Sequence, residues 1–364
     1  MGIDFDASRW ARVKDTYGQW WSGALGRPLI SVAVGGRDPG RPEPSLPAHA
    51  FTAFYGRSVA PEEIVDRWDW DLSRRWFVGD AFPSIWPNFG AGVVAGFCGA
   101  DLVCRTDHPT VWFRPLDERQ IADLDFAFDP DNPWLRRVQD VCGAAGERWG
   151  GLVQVSMTDL GGAVDILSTF RPAERLLLDL YDYPDQVRRL VGQIHDVWFR
   201  CFDAIDAVLQ RTNPGYTAWT PIFSATPYYM LQCDFCYMIS PAMFDAFVRP
   251  ELAAACGRLD HPFYHLDGPG QLPHLDSLLS IPDLAGVQWI PGAGAPGQRH
   301  WPDVYRRIHQ AGKLIQLYAE NGDLELLDVV ADQIGSADGI ILIGEVGPDR
   351  RDDLEAFLAR HGAA

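Results

Sequence analysis

From about residue 150 onward, short apolar runs of strand length alternate with longer amphipathic segments. The runs are mostly apolar without alternation, which is typical of strands buried on both faces of a parallel sheet. They predict strands at 151–157, 216–219, 262–266, 286–290, 313–318 and 339–343. The amphipathic segments predict helices at 172–181, 184–210, 240–258, 302–311, 323–335 and 350–361. Because no GxGxxG follows the first strand and no Walker A motif occurs, we expect an α/β fold of the (β/α)8 TIM barrel type rather than an open doubly wound sheet.

The first 150 residues follow a different pattern. They contain 10 of the 14 tryptophans and mix helix-like stretches with loops rich in proline and glycine. The helix-like stretches include 5–22 and 60–77, and two short β-like runs lie at 28–34 and 111–113. We therefore expect one structural domain with an elaborated N-terminal region. In it, 1–150 supplies helices and aromatic loops that cover the barrel mouth, and 151–364 forms the bulk of the barrel.

Charge and cysteine usage exclude several classes of function. The 364 residues include 31 Lys and Arg against 49 Asp and Glu, a net charge of −18. This charge opposes binding to nucleic acid or to an anionic membrane surface, so we expect a small-molecule substrate and neither of those partners. No apolar run approaches the roughly 18 residues of a membrane helix, and residues 1–15 show no secretory signal. The odd number of cysteines, seven, favours a reducing cytoplasm over a disulfide framework.

Acidic side chains and one histidine follow the predicted strands of the second part of the chain. His265 and Asp267 close one strand, and their spacing of two places both side chains on one side of it. Glu320 and Glu345 follow two later strands, at the edge where barrel enzymes carry their chemistry. His265, Asp267 and Glu345 are therefore candidate ligands of a divalent cation. Two other interpretations stay open: a metal-free acid/base group, or a local turn in which His265 and Asp267 bond to each other or cap the next helix.

Further polar and aromatic residues lie at the same strand ends. Asp159 follows the strand at 151–157, and Tyr318 closes a later strand. We assign Asp159, Tyr318 and Glu320 as candidate catalytic residues. Gln288 and Trp289 lie at the end of the predicted strand at 286–290, and we assign both as candidate substrate-binding residues.

The loop at 79–90 is long, apolar and aromatic, with a single charge. Loops of this length in compact proteins are often functional, so Phe82 and Trp86 are predicted to form an aromatic wall over the substrate. Ordinary packing of the N-terminal region is the alternative.

Two other features have weaker functional interpretations. Cys233 and Cys236 form a CxxC without a second CxxC or a thioredoxin-like pattern, which favours buried structural thiols over a zinc or redox site. Guanidinium groups bind carboxylates and phosphates in a two-pronged way. Four arginines are candidates for such contacts, although each has acids nearby in the sequence: Arg74, Arg75, Arg105 and Arg114.

Taken together, the strand ends resemble the uroporphyrinogen decarboxylase-like superfamily over about residues 15–360. The matching pieces are FYHLDGPG at 263–270, GVQWIPG at 286–292, KLIQLY at 313–318, MTDLGG at 157–162, DLYDYP at 179–184, ISPAMF at 239–244 and PEL at 250–252. The heme-synthesis decarboxylases of this superfamily carry an Arg-Gln-Ala-Gly-Arg-Tyr type motif near the N-terminus. The corresponding stretch here, 20–28, lacks that motif.

The sequence is closer to the branch of methyltransferases that work with methylcorrinoid proteins. In that branch a His-x-Cys and a later Cys bind zinc, which activates a thiol acceptor. His265 matches the histidine, Asp267 stands at the first cysteine position, and Glu345 is the donor near the last strand end. The resemblance implies a divalent metal, zinc first among the candidates, and a corrinoid supplied by a partner protein.

The function expected from residues and resemblance together is a metal-dependent methyltransferase or demethylase acting on a small aromatic or apolar substrate. Two alternatives are a metal-free decarboxylase and a corrinoid- or tetrapyrrole-binding protein without catalytic turnover.

Overall fold

The computed structural model describes residues 2–104 and 110–364, so Arg105 lies outside the described residues. The strands are β1 Leu29–Val34, β2 Trp76–Gly79, β3 Ser84–Ile85, β4 Asp101–Val103, β5 Trp112–Arg114, β6 Gln154–Val155, β7 Tyr228–Gln232, β8 His261–Asp267, β9 Gly286–Ile290, β10 Leu314–Ala319 and β11 Ile340–Val346. The helices are α1 Ala7–Trp21, α2 Pro61–Ser73, α3 Val94–Phe97, α4 Pro133–Trp149, α5 Ala163–Phe170, α6 Ala173–Asp182, α7 Pro184–Leu209, α8 Pro241–Met243, α9 Arg249–Cys256, α10 Leu275–Leu279, α11 Pro302–Gln310, α12 Leu326–Ile334 and α13 Arg351–Arg360.

The fold is α/β, built on a central sheet of seven strands in the order β2-β1-β11-β10-β9-β8-β7. Neighbouring strands are parallel, except that β2 runs antiparallel to β1. Two further strands, β3 and β6, form a separate parallel pair. The hydrogen-bonded ladders of the described residues leave this pair unconnected to the sheet, so they show a mostly parallel sheet with helices rather than the closed barrel predicted from the sequence.

Several predicted elements differ from those observed. The strand expected at 216–219 is only an isolated bridge between Tyr216 and Ser224, and the strand preceding β8 is β7. Part of the aromatic loop at 79–90 forms β3, which is two residues long and too short to show a periodic pattern. The helix expected at 240–258 is divided into α8, a π-turn and α9, because Pro250 has no N–H to donate to the preceding turn.

Helix α1 shows how the N-terminal region joins the rest of the chain. Its buried side chains include Trp10, Val13, Tyr17 and Trp20, at the spacing of three and four that lines one face of a helix. Asp6 caps its start by accepting hydrogen bonds from the backbone N–H groups of the first turn. Its buried face joins one continuous cluster of apolar side chains that also includes residues of β7 to β11.

The N-terminal region contributes more than a cover. Both β1 and β3 precede residue 150 and belong to the parallel strands, so the first 150 residues contribute strands as well as helices and loops. Across 2–104 and 110–364, no helix is both long enough and apolar enough to cross a bilayer.

A stack at the start of β8 predicts a pH dependence of stability. The His261 imidazole lies flat on Trp21, with ring centroids 4.0 Å apart, and its Nδ1 is 2.8 Å from Ser224 Oγ. Burial lowers the pKa of His261. The unfolded chain therefore takes up this proton first, and the free energy of unfolding should fall as pH drops below about 6.5.

A His261→Gln variant should show a flatter loss of stability than the wild type between pH 7.5 and 5.5, measured by urea unfolding. Equal slopes for the two proteins would contradict this assignment.

Candidate functional site

Three side chains converge at the carboxyl ends of neighbouring strands β7 and β8. His265 and Asp267 lie two apart on β8, and Asp234 comes just after β7. Each offers one donor atom, and the three donor atoms lie within 4.8 Å of one another. One imidazole and two carboxylates at this separation form a nitrogen and oxygen donor set suited to a divalent cation.

Asp234 is held in this group by a turn that the sequence did not single out. Asp165, on α5, accepts hydrogen bonds from the backbone N–H groups of Asp234 at 3.0 Å and Phe235 at 2.8 Å. On either side of Asp234 and Phe235, Cys233 and Cys236 are free thiols buried in the core. The CxxC segment therefore serves to anchor a turn that presents Asp234.

The contact between α5 and β7 is too close for any residue but glycine at the start of the helix. A Cβ at Gly162 would lie 2.2 Å from the carbonyl oxygen of Gln232. Because Asp165 is one turn further along α5, this close approach brings its carboxylate to the Asp234 turn.

His265 belongs to a polar row that crosses four adjacent strands. Gln232, His265, Gln288 and Gln316 are direct register partners on β7, β8, β9 and β10. Gln288 Oε1 bonds His265 Nδ1, and Gln288 Nε2 donates to Gln316 Oε1 at 2.6 Å. This row fixes the imidazole by its Nδ1, so Nε2 is the nitrogen available for a ligand.

Asp159 lies close to the group, in a buried position. Its Oδ1 accepts hydrogen bonds from Gly161 N at 2.9 Å and Gln232 Nε2 at 3.3 Å. Burial raises the pKa of Asp159 to about 7, and the negative charge of Asp234 adds to the rise.

The other acids of this site are also perturbed. Burial and the charge of Asp234 raise the pKa of Asp165 to about 7. Desolvation likewise raises the pKa of Asp234, with nearby His265 opposing the rise and Asp267 adding to it. Carboxyl groups held this close together take up protons in the absence of a cation, and they bind a cation when one is available.

Tyr318 lies near this polar row, and Glu320 is exposed beside it. Burial raises the pKa of Tyr318 to about 12, and the neighbouring amide side chains of Gln316 and Gln288 oppose the rise. Tyr318 and Glu320 both line a cavity of about 260 Å³ next to β10.

The structure does not place Glu345 with His265 and Asp267. Its Oε2 lies 2.9 Å from Arg75 Nε, and its side chain lines another cavity. Glu345 ends β11, three strands away from β8, whereas Asp234 follows the adjacent strand β7. Asp234 therefore occupies the third position that the sequence assigned to Glu345.

Two predicted substrate-binding aromatics are structural. Phe82 is 4 % exposed and packs on Trp10 and Tyr17 of α1, with ring centroids 5.4 and 5.7 Å away. Trp289 is fully buried against Trp301. Its neighbour Gln288 points to the other face of β9, where it bonds His265, because successive strand residues alternate in direction.

Trp86 is the aromatic residue of the 79–90 loop that reaches the site. Its ring lies 6.3 Å from Trp219, whose ring packs edge-to-face on His265 at 5.0 Å. The sequence pattern does not single out Trp219 as a site residue, because it predicts a strand at 216–219 that does not form. Trp86 and Trp219 provide an aromatic path from His265 toward the carboxyl end of β3.

The fold and the donor group define an α/β protein whose parallel strands end at a candidate cation site. No family model and no curated sequence matches the chain. Fourteen chains of solved structures match its fold. One is a methyltransferase from Methanosarcina mazei, with a TM-score of 0.59, 12 % identity and coverage of 96 % of this chain and 98 % of that one. At this identity the likeness shows a shared fold over nearly the whole length of both chains.

Proposed function

We propose that Asp234, His265 and Asp267 hold a divalent cation. The observation that carries the proposal is the approach of their three donor atoms to within 4.8 Å of one another. The residues fit such an ion because imidazole and carboxylate ligands suit zinc and harder divalent ions, and three protein ligands leave an open position. Zinc is the first candidate, although the absence of thiolate from the donor set also admits an ion with a stronger preference for oxygen.

We propose that the chain uses this site as a methyltransferase or demethylase acting on a small aromatic or apolar substrate. Support comes from the resemblance of its strand ends to the corrinoid-dependent methyltransferases and from the fold shared with the Methanosarcina mazei methyltransferase. When bound, the cation would supply Lewis acidity that polarises the methyl acceptor or lowers its pKa. A corrinoid carried by a partner protein is the proposed methyl carrier.

The chain's own residues have separate roles in this proposal. Gln288 holds the His265 ring in a fixed orientation, and Asp165 holds the turn that carries Asp234. Asp159 can hold or release a proton near neutral pH, because burial raises the pKa of its carboxyl group to about 7. We propose that Tyr318 orients the substrate and that Trp86 and Trp219 exclude water from it.

We also propose that β3 and β6 complete a (β/α)8 barrel with the six parallel strands of the sheet. Contacts beside each strand of the pair support closure. Asp80, between β2 and β3, donates its backbone N–H to Ile30 O of β1 at 3.1 Å, and the backbone N–H of Leu160, after β6, donates to the Tyr229 hydroxyl of β7 at 2.7 Å.

Elemental analysis tests the cation proposal. Protein purified without chelators should contain about one divalent ion per chain. Chelated protein should regain one ion on titration with Zn²⁺, Mn²⁺ or Co²⁺, followed by calorimetry. The metal-loaded protein should then consume methylcobalamin in the presence of a methyl acceptor, seen as a change in visible absorbance. Absence of any stoichiometric ion in both experiments would overturn the cation proposal.

A metal-free decarboxylase is the second candidate function. It is favoured by the buried Asp159, whose pKa of about 7 suits a residue that transfers a proton at neutral pH. Release of CO₂ from a carboxylated substrate by chelated protein would support this candidate. A visible absorption band retained through purification, without turnover, would instead indicate a corrinoid- or tetrapyrrole-binding protein.

A further inference from the structure

A second cavity opens at the same edge of the fold, beside the candidate cation site. It has a volume of about 360 Å³ and lies at the carboxyl ends of β1, β3 and β11. Its charged lining includes Arg74 and Arg75, which follow α2 directly, together with Asp71 and Glu345. None of the three proposed cation ligands lines it.

The two arginines keep donors available toward this cavity. Arg75 Nε forms an ion pair with Glu345 Oε2 at 2.9 Å, and no described residue accepts a hydrogen bond from the terminal nitrogens of Arg75. The Arg74 guanidinium lies over the Trp70 ring at 4.6 Å, and within 2–104 and 110–364 no carboxylate lies within 4.0 Å of it. Asp71 is already bound by Arg67 at 2.8 Å. In a chain of net charge −18, two adjacent arginines with open donors indicate a site for an anionic group.

Glu345 acts here as a positioning residue. A Cβ at Gly35 would lie 3.0 Å from Glu345 Oε1, so glycine at this position leaves room for the carboxylate beside Arg75. By binding Nε, Glu345 restricts the orientation of the Arg75 guanidinium. Its negative charge, with that of Asp71, also disfavours a doubly charged ligand such as a phosphate ester and favours a singly charged carboxylate.

Trp86 connects this cavity to the candidate cation site. Trp86 lines the arginine cavity, and its Nε1 is buried without a hydrogen-bond partner in the described part of the chain. Through Trp219 it leads to His265, with centroid distances of 6.3 and 5.0 Å. A planar ligand body resting on Trp86 would thus extend from the arginines toward the proposed cation ligands.

We propose that the substrate is an aromatic carboxylate, whose carboxylate binds Arg74 and Arg75 and whose ring contacts Trp86. The direction of the reacting group toward His265 rests on the proposed function. The charge and shape of the ligand rest on the arginine cavity alone.

Calorimetry with benzoate and benzamide tests this inference, because the two probes share a ring and differ in charge. The wild-type protein should bind benzoate at least about tenfold more tightly than benzamide. Arg74→Gln and Arg75→Gln should each reduce that preference, whereas Arg306→Gln, an exposed arginine paired with Asp303 on α11, should leave it unchanged. Trp86→Ala should weaken the binding of benzoate and benzamide to the same extent.

Glu345→Gln gives the sharpest contrast with the metal-ligand role suggested by the sequence. It should tighten benzoate binding, because a competing negative charge next to Arg75 is removed, and it should leave the bound metal content unchanged. Circular dichroism and thermal unfolding establish that each variant is folded. Arg75→Lys serves as a second variant that keeps the charge and loses the two-pronged geometry. Its preference for benzoate over benzamide should lie between those of the wild type and Arg75→Gln.

Equal affinity of the wild type for benzoate and benzamide would overturn the inference. An unchanged preference for benzoate in both Arg74→Gln and Arg75→Gln would also overturn it. Tighter binding of phenyl phosphate than of benzoate would overturn the carboxylate assignment. Metal titration of the same preparations separates the two proposals. Charge-selective benzoate binding in a protein that takes up no metal would support the arginine site and contradict the proposed metal-dependent methyltransferase or demethylase.

Discussion

Asp267→Ala should remove most of the divalent cation from the protein and weaken its binding by more than about 100-fold. Asp267 is one of three donors within 4.8 Å, and its loss would leave one carboxylate and one imidazole. Changes to residues that merely support ligands already cost about 10- to 100-fold in metal affinity, so the loss of a ligand should cost more. Elemental analysis and calorimetric titration of the chelated protein measure the effect.

Asp276→Ala is a matched control, because Asp276 is an exposed aspartate on α10, the helix that follows β8, and binds Arg307 at 2.7 Å. It should retain wild-type metal content. Asp267→Cys should restore binding with a preference for zinc, since a thiolate is the softer ligand. Undiminished metal binding by Asp267→Ala would show that the cation lies elsewhere.

Asp179→Ala should lower the free energy of unfolding by about 3 to 5 kcal/mol, because it leaves the Arg171 guanidinium buried without its partner. The pair is bidentate, with Arg171 Nε and Nη2 at 2.7 and 3.0 Å from the two Asp179 oxygens. Arg171 also donates to the carbonyl oxygen of Arg119, so it joins α6 to a distant loop. Urea unfolding followed by circular dichroism measures the loss.

Asp185→Ala removes an exposed aspartate at the start of α7 that pairs with Arg188, and it should change stability by no more than about 0.5 kcal/mol. A double variant, Arg171→Met with Asp179→Leu, should be more stable than Asp179→Ala, because it removes both buried charges together. A small loss in Asp179→Ala, similar to that of Asp185→Ala, would contradict the role assigned to the buried pair.

The parts of the fold that could be predicted are those with long regular patterns. The strands from β8 to β11 are mostly apolar runs of five to seven residues, and the sequence places each of them within a few residues. The pair His265 and Asp267 was accessible for the same reason, since a spacing of two on a strand fixes a shared face. By contrast, β3 has two residues and carries no periodic signal, whereas β6, also two residues long, lies within the strand predicted at 151–157.

The remaining site residues depend on contacts between distant parts of the chain. Asp234 joins His265 only because β7 lies next to β8, and β7 was not among the predicted strands. Glu345 occupies the expected strand end, but Arg75 lies beside it, and no local pattern relates the end of α2 to the end of β11. A glutamine within β7, β9 and β10 is the one sequence signal of the row from Gln232 to Gln316, because a buried amide requires a hydrogen-bonding partner.

The link between Asp165 and the Asp234 turn would make the proposed cation ligands dependent on a helix that contributes no ligand. Because Gly162 brings α5 against the end of β7, a displacement of this helix would carry the Asp234 carboxylate with it, while His265 and Asp267 stay fixed on β8. Side chains packed behind α5 would thereby change the spacing of the proposed donors. The affinity for the ion would thus depend on the position of α5. Substitutions in the core behind this helix would then alter metal selectivity without changing any ligand.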